Sequence, residues 1–257
     1  MKHLYSKSLL FLFGLFFLSP SVLADQTGFT PAQTIQIQSI VRDYLVNNPQ
    51  VLVEAARSLQ QQQETAVQGQ AKKAVIAHAN ELFHSPVSPV LGNPKGNVVM
   101  VEFLDYQCSY CKKMVGPLSQ LVKDEPNVRF IVKELPIFGD NSQFAAQVAL
   151  AAQNQGQYAA LHKALLQSNT QLSSSIVLEA AKKAGINTDR LKQDMNNKAI
   201  SQELDNNFTL ANQLGIRGTP SFLLASDIDN PSRMKVVFIP GVATESSLRD
   251  VIKQLRK

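Results

Sequence analysis

Two cysteines, Cys108 and Cys111, are the only ones in the 257-residue chain, and both lie in the segment FLDYQCSYCKKM, residues 103–114. A two-residue spacer closes one of the shortest possible loops, so a disulfide between them would restrict the unfolded chain very little. The pair therefore adds little to stability. Its spacing indicates a metal half-site, a redox pair or a chance arrangement.

The metal alternative has little support in the rest of the sequence. A structural zinc site needs four ligands, and the sequence offers four histidines but no further cysteine. The histidines are His3, His78, His84 and His162, and they show no paired ligand spacing near the cysteines. The pattern therefore favours redox chemistry.

The residues on either side of the pair predict a strand that passes directly into a helix. Residues 98–106, VVMVEFLDY, form a nearly continuous apolar run, which is typical of a buried strand. Residues 109–122 have helical periodicity, so Cys108 is expected at the helix N-terminus. Unpaired backbone N–H groups and the positive end of the helix dipole favour a thiolate there.

This position predicts different roles for the two cysteines. A thiol at a helix N-terminus can have its pKa lowered from ~8.5 to between ~3.5 and ~7.5, so we expect Cys108 to be an exposed nucleophile. Cys111 follows one turn later and is expected to be protected. From there it can attack and resolve a mixed disulfide formed at Cys108.

The first residues of the chain predict export from the cytoplasm. Residues 1–24 carry Lys2 and Lys7, a short apolar run and a small residue, Ala24, at the end, which is the pattern of a cleaved signal peptide. The apolar run is well short of the ~20 residues that a spanning helix needs, and an uncleaved anchor is the alternative. The expected location is the periplasm, where disulfides form and persist.

Residues 25–85 predict a helical region that precedes the cysteine-containing domain. Apolar residues recur at helical spacing over residues 34–47, Asn48 and Pro49 signal a new start, and residues 50–83 consist mainly of good helix formers. The apolar stripe is thin and has no evident partner within the chain. We therefore expect these helices to form a homodimer; an exposed linker helix is the alternative.

A segment rich in Pro, Gly and Ser, residues 84–97, is expected to lead into an α/β domain at residues 86–257. The predicted element order is strand–helix–strand, then a helical block at about 140–214, then strand–strand–helix. The charges are scattered, without the basic block that marks nucleic-acid binding. We therefore expect no nucleic-acid partner.

Two segments, VEFLDYQCSYCKKM and RGTPSFLL, resemble the DsbA-like thiol–disulfide oxidoreductases of the bacterial envelope. The similarity covers roughly residues 86–257 and implies a thioredoxin fold with a helical domain inserted in it. It also implies that Pro220 is cis and lies beside the cysteine pair and the bound substrate peptide. No cofactor is implied, because the redox-active disulfide Cys108–Cys111 carries the electrons.

Glu102 lies in the predicted strand, six residues before Cys108, and is expected to be at least partly buried. The resemblance implies that it relays protons for the buried cysteine, since burial raises a carboxylate pKa toward a range useful for that task. The alternative is an ion pair with Lys133, the basic residue of the neighbouring predicted strand. Asp105 and Tyr106, which flank the site, are interpreted as solvent-facing or packing residues.

Oxidase and isomerase features are mixed in this chain. The best-known oxidases of the family carry Pro-His between the cysteines, where this chain carries Ser109 and Tyr110. Tyr110, and Thr219 before the proline, resemble the dimeric isomerases DsbC and DsbG, whereas the helical block is DsbA-like. We expect Ser109, Tyr110, Thr219 and Pro220 to contact the substrate.

The sequence thus predicts a periplasmic thiol–disulfide oxidoreductase that forms disulfide bonds in secreted proteins, with isomerisation of wrong disulfides as a second expected activity. Its expected partners are unfolded or misfolded cysteine-containing proteins and a membrane redox protein that resets the pair. Two alternatives remain: a non-catalytic surface or structural protein that uses the long helix, and a redox-sensing binding module.

Overall fold

The computed structural model describes residues 28–257, so the expected signal peptide, residues 1–24, lies outside the described residues. The chain divides into two compact units, one that ends at Leu59 and one that runs from Gln60 to Lys257. Among the described helices, none combines the length and the apolar character needed to span a membrane.

The first unit holds helix α1 (Pro31–Asn47) and the beginning of α2 (Gln50–Ala77). Helix α1 starts with a capping box, in which the Gln33 N–H donates to Thr30 Oγ1 and the Thr30 N–H donates to Gln33 Oε1. None of the 17 residues described in α1 is buried. Its exposed large apolar side chains are Ile35, Ile37, Ile40, Val41, Tyr44 and Val46.

Residues 50–83 do not form the single long helix that the sequence predicts. Helix α2 ends at Ala77, and a short helix α3 (Ala79–Phe83) follows after His78, whose backbone (φ −114°, ψ 25°) departs from helical geometry. Beyond the break, Leu82 and Phe83 pack in the same core as Ala71 and Val75 near the end of α2.

The second unit is built on a five-stranded sheet with the order β1-β3-β2-β4-β5. Strands β2 and β3 are parallel, and the other neighbours are antiparallel. All seven residues of the central strand β2 are buried, as the apolar run predicts. In chain order the strands are β1 (Val90–Gly92), β2 (Val98–Leu104), β3 (Val128–Glu134), β4 (Ser221–Ser226) and β5 (Lys235–Pro240).

Helices connect these strands in the predicted order. Helix α4 (Ser109–Asp124) joins β2 to β3, and α10 (Glu245–Leu255) follows β5. The helical block between β3 and β4 is confirmed. It contains α5 (Asp140–Ala152), α6 (Tyr158–Leu166), α7 (Ser174–Lys183), α8 (Thr188–Met195) and α9 (Lys198–Gln213). The short strand β1, which the sequence did not predict, lies within the segment expected to be a linker.

The two faces of the sheet pack against different helices, because side chains alternate along each strand. Val98, Met100 and Leu104 of β2 belong to a core shared with α4, α10 and most of the inserted helices. Val99, Val101 and Phe103 belong to the core on the opposite face, with the end of α2, α3 and the last turns of α9. The cysteine pair lies on the first face.

The sheet-containing unit begins at Gln60, well before the segment at which the sequence places the domain boundary. Ala71, Val75, Leu82 and Phe83 are at most 5% exposed and pack in the core of the second face. The end of the N-terminal helical region is therefore part of the unit that carries the sheet.

Gln68 of α2 adds a polar contact to this packing. Its side-chain Nε2 donates to the Phe238 carbonyl at 2.7 Å, and its Oε1 accepts from the Phe238 N–H at 2.9 Å. Phe238 belongs to β5, which is an edge strand. The glutamine side chain thus satisfies backbone groups that an edge strand would otherwise leave unpaired.

Candidate active site

The cysteine pair lies where β2 passes into α4. Cys108 is the N-cap residue of α4, with an extended backbone (φ −69°, ψ 117°). The preceding turn is fixed by the buried carboxylate of Asp105, whose Oδ1 accepts from the Gln107 N–H and whose Oδ2 accepts from the Ile137 N–H, both at 2.7 Å. Asp105 therefore does not face solvent; it holds the turn from which Cys108 is presented.

Both cysteines are free thiols and both are buried, Cys108 being 4% exposed and Cys111 1% exposed. The expectation that Cys108 is exposed is therefore wrong. The physical reason is that the segment before β4 packs over it, so that the Thr219 carbonyl lies 3.1 Å from Cys108 Sγ and can accept from it when it is protonated. Cys111 is protected, as expected.

Strand pairing brings Thr219 and Pro220 to the cysteine pair. Strand β4 is antiparallel to β2, and Ser221 pairs with Phe103, so the residues just before β4 lie beside those just after β2. The Thr219–Pro220 peptide bond is cis. Thr219 Oγ1 is buried without a hydrogen-bond partner among the described residues, so its hydroxyl is free to donate to a thiolate formed at Cys108.

The two thiols differ strongly in acidity. A hydrogen bond from the Cys111 thiol, with further donation from the Thr219 hydroxyl and two backbone N–H groups, lowers the pKa of Cys108 to about 5 despite its burial. The same hydrogen bond and burial raise the pKa of Cys111, and ionisation of Glu102 would raise it further. At neutral pH the reduced pair therefore holds one proton, on Cys111.

Glu102 lies on the face of β2 that carries the cysteine pair, and it is 1% exposed. Neither of its carboxyl oxygens has a hydrogen-bond partner within residues 28–257. Burial raises its pKa well above the ordinary value, and the charges of Glu134 and of the Cys108 thiolate add to the rise. The raised pKa keeps the Glu102 carboxyl group protonated. It lies close enough to Cys111 that its ionisation would raise the pKa of that thiol.

The alternative interpretation of Glu102, an ion pair with Lys133, is wrong. In the parallel register Lys133 is opposite Phe103, whereas Glu102 is opposite Val132. Neighbouring residues in register share a face, so Lys133 and Glu102 point to opposite sides of the sheet. Lys133 instead donates to the Glu81 carbonyl at 2.7 Å and forms a buried ion pair with Glu203 at 3.3 Å.

The surface around the pair contains exposed apolar groups that sequence reasoning missed, apart from Tyr110. Tyr110 is 55% exposed between the cysteines, and Ser109 beside it is also exposed. The further exposed apolar residues are Ile137 and Phe138, which follow β3, Phe208 on α9, and Val242, which follows β5. The segment LPIFGD after β3, with its adjacent large apolar residues just before Gly139, was the available signal.

Ile137, Phe138 and Val242 lie on segments that touch the site. The Ile137 and Phe138 N–H groups donate to Asp105 Oδ2, at 2.7 and 3.1 Å. Gly241, next to Val242, donates its N–H to the Pro220 carbonyl at 3.0 Å. No group of three or more His, Cys, Asp or Glu side chains placed to hold a metal ion occurs in the part of the chain that the structure describes.

Two family models match different parts of the chain. Residues 99–253 match the model described as DSBA-like thioredoxin domain. Residues 33–66 match the Copper resistance protein ScsC N-terminal domain. The first match contains the cysteine pair and the strands of the sheet from β2 onward, and the second covers most of α1 and part of α2.

Several solved structures are similar to the chain. A thioredoxin-like oxidoreductase from Silicibacter pomeroyi DSS-3 shares 38% identity and a TM-score of 0.63, covering 69% of this chain and 96% of that one. Proteus mirabilis ScsC in a transitional conformation shares 29% identity and a TM-score of 0.63, covering 88% and 98%. A periplasmic thioredoxin-like protein from Salmonella enterica serovar Typhimurium shares 29% identity and a TM-score of 0.59, covering 70% and 95%.

Curated relatives include much longer proteins. The chain is 27% identical over 145 residues to the Na(+)/H(+) antiporter NhaA 3 of Salinispora tropica. The match involves 54% of this chain but only 22% of the antiporter's length. The similarity therefore concerns one part of that protein.

The first prediction concerns the acidity of Cys108. Titration of the thiolate absorbance of the reduced protein should show a midpoint near pH 5. Cys111→Ala, which removes the thiol donor, should move this midpoint upward, whereas Cys111→Ser, which keeps a donor, should move it less. A midpoint near the ordinary thiol value in the unmodified protein would contradict the electrostatic argument.

The same shift predicts how stability depends on pH. Because folding depresses the Cys108 pKa from about 9 to about 5, the thiolate stabilises the reduced protein fully above pH 9, and this contribution is lost as the pH falls through 5. The melting temperature of the reduced form should therefore rise relative to that of the oxidised form between pH 5 and pH 8. Parallel changes in both forms would contradict this.

A second prediction concerns Thr219. Thr219→Val keeps the shape of the side chain but removes the hydroxyl, and a hydrogen bond to a charged group contributes ~1.5 kcal/mol or more. The equilibrium with glutathione should therefore shift by about tenfold toward a less oxidising pair. Thr209→Val, at an exposed position on α9, is the control. An unchanged equilibrium would mean that Thr219 only packs.

Proposed function

The chain belongs to the DSBA-like thioredoxin domain family, and on that basis we propose that it forms disulfide bonds in other proteins by thiol–disulfide exchange. Family membership confirms the expected thioredoxin fold with inserted helices, here preceded by N-terminal helices. Residues 99–253 are a thiol–disulfide oxidoreductase domain with Cys108 and Cys111 as its Cys-x-x-Cys pair. The activity of the whole protein, its clients and its partners are the proposal.

The observation that carries the proposal is the unequal acidity of the two thiols. Cys108 leaves readily because its thiolate is stabilised, with a pKa lowered to about 5 by the Cys111 thiol and nearby N–H and hydroxyl donors. A stabilised thiolate also favours the reduced pair, which makes the oxidised pair a good acceptor of electrons. In the mixed disulfide Cys111 is a free thiol with a raised pKa, so the second step expels Cys108.

The exchange proceeds in two steps from the oxidised pair. A client thiolate attacks Cys108 Sγ and forms a mixed disulfide, while Cys111 leaves as a thiolate and takes a proton from Glu102. A second client thiolate then attacks the client sulfur of the mixed disulfide, which forms the client disulfide and releases Cys108 as a thiolate. Two electrons pass from the client to the cysteine pair. The two client thiols lose two protons in all. The reduced protein gains one proton, on Cys111, and the other proton enters solvent.

The burial of Glu102 supports its role as the proton donor. Its carboxyl group is enclosed and its pKa is raised, chiefly by burial and further by Glu134. A neutral carboxylic acid can donate to the Cys111 thiolate as that thiolate is expelled into an apolar environment. A permanently charged group at the same position would oppose the expulsion of a second negative charge.

The surface around Cys108 fits an unfolded client. The Thr219 carbonyl and the cis Pro220 lie against the Cys108 thiol, where an extended client segment can pair with the backbone. Ser109 and Tyr110 border the same position, and further exposed apolar groups lie nearby. An unfolded polypeptide presents apolar side chains beside its cysteines, so this surface favours it over a folded surface.

Isomerisation of wrong disulfides is the second proposed activity. Tyr110 and Thr219 support it through their resemblance to isomerases, and so does the exposed apolar face of α1. The proposed location is the periplasm, since the chain resembles an envelope protein of Salmonella enterica and begins with a signal-like segment. There a membrane redox protein would re-oxidise Cys108 and Cys111.

The N-terminal helices are proposed to join copies of the chain. Most of the stability of a helix in a protein comes from packing, and none of the 17 residues described in α1 is buried. A second copy would cover the apolar residues of α1 with an equivalent surface, as in symmetric homo-oligomers. We propose a homodimer as the smallest such assembly, and the match of residues 33–66 to the ScsC N-terminal domain supports a specialised role for this segment.

The third prediction tests the exchange itself. Mixed with a reduced peptide that contains two cysteines, the oxidised protein should form the peptide disulfide at a stoichiometry of one to one. Cys111→Ser should instead trap a mixed disulfide on Cys108 when the peptide is supplied as a disulfide, because the resolving thiol is absent. Cys108→Ser should do neither. Peptide oxidation by Cys108→Ser would refute the proposed function.

The fourth prediction concerns self-association. A chain truncated to begin at Gln60 should be a monomer that still oxidises peptides but loses most of its isomerisation of scrambled ribonuclease. Truncation at the end of the predicted helical region, residue 85, is unsuitable because it would remove the buried Val75 and Phe83 from the core. Light scattering gives the mass of each form and counts the copies.

A point variant checks the same proposal in the full chain. Ile40→Glu places a charge on the exposed apolar face of α1 and should lower the mass to that of the monomer, whereas Gln38→Glu on the same exposed helix should not. If the unmodified protein is already a monomer at micromolar concentration, the helices do not associate and the proposed assembly is wrong.

A further inference from the structure

A buried cluster of four polar side chains, Tyr106, Glu134, Tyr158 and His162, takes no part in the exchange described above. We call it the Glu134 cluster. Tyr106 Oη donates to Glu134 Oε1 at 2.6 Å, and Tyr158 Oη donates to the same oxygen at 2.7 Å. His162 Nδ1 lies 3.1 Å from Tyr106 Oη and 3.2 Å from Tyr158 Oη. All four residues are at most 6% exposed.

The hydrogen-bond pattern of the cluster allows one proton to enter or leave. With Glu134 ionised, both tyrosine hydroxyls donate to its Oε1. With Glu134 protonated, its carboxyl can donate to one tyrosine oxygen, and that tyrosine can then donate to His162 Nδ1. Both states are hydrogen-bonded without movement of the side chains. If these positions served only packing, phenylalanine would fill them as well as tyrosine and would leave no buried hydroxyl that needs a hydrogen bond.

Glu134 is also incompletely bonded. Its second oxygen, Oε2, is buried with no hydrogen-bond partner among residues 28–257. An unpartnered buried carboxylate oxygen is costly, and the cost is lower when the group carries a proton. Burial raises the pKa of Glu134 to about 8 against the two tyrosine hydrogen bonds, which agrees with a group that is mostly protonated at neutral pH.

Glu134 lies next to Glu102 on the same face of the sheet. In the parallel register Glu134 is opposite Leu104, two residues beyond the pair Glu102 and Val132. The two carboxyl groups act on each other, because the charge of Glu134 contributes to raising the pKa of Glu102. Two neighbouring buried carboxyl groups resist simultaneous ionisation, so loss of a proton from one favours retention by the other.

The titratable groups that face Glu134 come from two elements besides its own strand. Glu102, Asp105 and Tyr106 come from β2 and the turn after it, and the Asp105 charge contributes to raising the Glu134 pKa. Tyr158 and His162 come from α6, and burial lowers the pKa of His162 to about 4. The imidazole is therefore neutral at physiological pH and serves as a hydrogen-bond partner, without a charge that would fix Glu134 in its ionised form.

The cluster reaches from the core to two cavities. Tyr158 lines a cavity of about 590 Å³, together with Arg129 and most of residues 84–91. His162 lines a second cavity of about 260 Å³ between α4 and α6. Glu102, by contrast, is enclosed beneath the cysteine pair. Tyr158 and His162 are therefore the members of the cluster nearest to space that water can enter, and each is one hydrogen bond from Glu134 or from its tyrosine partners.

We propose that Glu134 holds the proton that restores Glu102 after Glu102 has protonated Cys111, and that Tyr106, Tyr158 and His162 connect Glu134 to water. This inference rests on the proposed role of Glu102 as proton donor. The proton passes from Glu134 to Glu102, and Glu134 is then reprotonated from water through the cluster. No electrons move in this step, and the proton regained from water balances one of those released by the client thiols.

The test is the pH dependence of the steady-state oxidation of a dithiol peptide at saturating glutathione disulfide, because Glu102 must then recover its proton in every cycle. Rates are divided by the peptide's thiolate fraction. Above pH 7 the unmodified protein should lose rate around pH 8, where Glu134 ionises. Glu134→Gln should lack this limb and should react about twofold to tenfold more slowly at pH 7, less than the ~100-fold effect of a direct acid–base group.

Glu203→Gln is the matched control, because Glu203 is also a buried glutamate but pairs with Lys133 on the other face of the sheet. It should lower stability and leave the pH profile unchanged. Tyr158→Phe, which keeps Glu134 and removes one hydroxyl, should slow the reaction in the same pH range. It provides the test if Glu134→Gln does not fold.

A double variant separates this inference from the proposed function. If Glu134 acts through Glu102, Glu102→Gln/Glu134→Gln should be no slower than Glu102→Gln alone; multiplied effects would overturn the inference. The inference would also be overturned if Glu134→Gln or Tyr158→Phe folds and keeps the rate and the pH profile of the unmodified protein. If Glu102→Gln is not slow, the relay in the proposed function fails instead, and failure of exchange is reported separately by Cys108→Ser.

Discussion

The alternation of side chains along the central strand β2 determines which groups reach the cysteine pair. Because β2 is buried on both faces and pairs with β3 and β4 along its length, a shift of one residue would exchange the two faces. In the observed register Glu102 lies on the face of the thiols. Lys133 pairs with Phe103, the residue after Glu102, and therefore lies on the other face of the sheet. The site therefore contains an unpaired acid where a buried ion pair was a reasonable alternative.

The same pairing explains why the reactive thiol is buried yet acidic. Burial alone raises a thiol pKa, so Cys108 needs donors that exceed this cost. They come from three directions: the Cys111 thiol within α4, the backbone N–H groups of the first helical turn, and the Thr219 hydroxyl before β4. Because Thr219 lies over the buried Cys108, any disulfide that exchanges with this thiol must approach it past the Thr219 backbone.

The sequence allowed the central chemistry to be predicted, because Cys108, Cys111 and the strand-to-helix junction are local in the chain. The apolar run of β2 and the proline-free helical block likewise predicted the element order. The break at His78, the strand β1 and the packing of Phe83 could not be predicted, since they depend on contacts distant in sequence. The partner of Lys133 was missed for the same reason: Glu203 is on α9, 70 residues away, and register decides which acid it meets.

Buried ionisable groups on the cysteine face of the sheet are difficult to explain by stability. Glu102 and Glu134 each keep at least one carboxyl oxygen without a hydrogen bond among the described residues, and apolar side chains of similar volume would avoid that cost. Thiol–disulfide exchange, however, deposits a negative charge on Cys111 deep in this core each time the pair is reduced. A core that was apolar throughout would oppose that charge. In the proposed relay, Glu102 and Glu134 stay protonated because they are buried, and they supply protons at the place where the Cys111 thiolate forms.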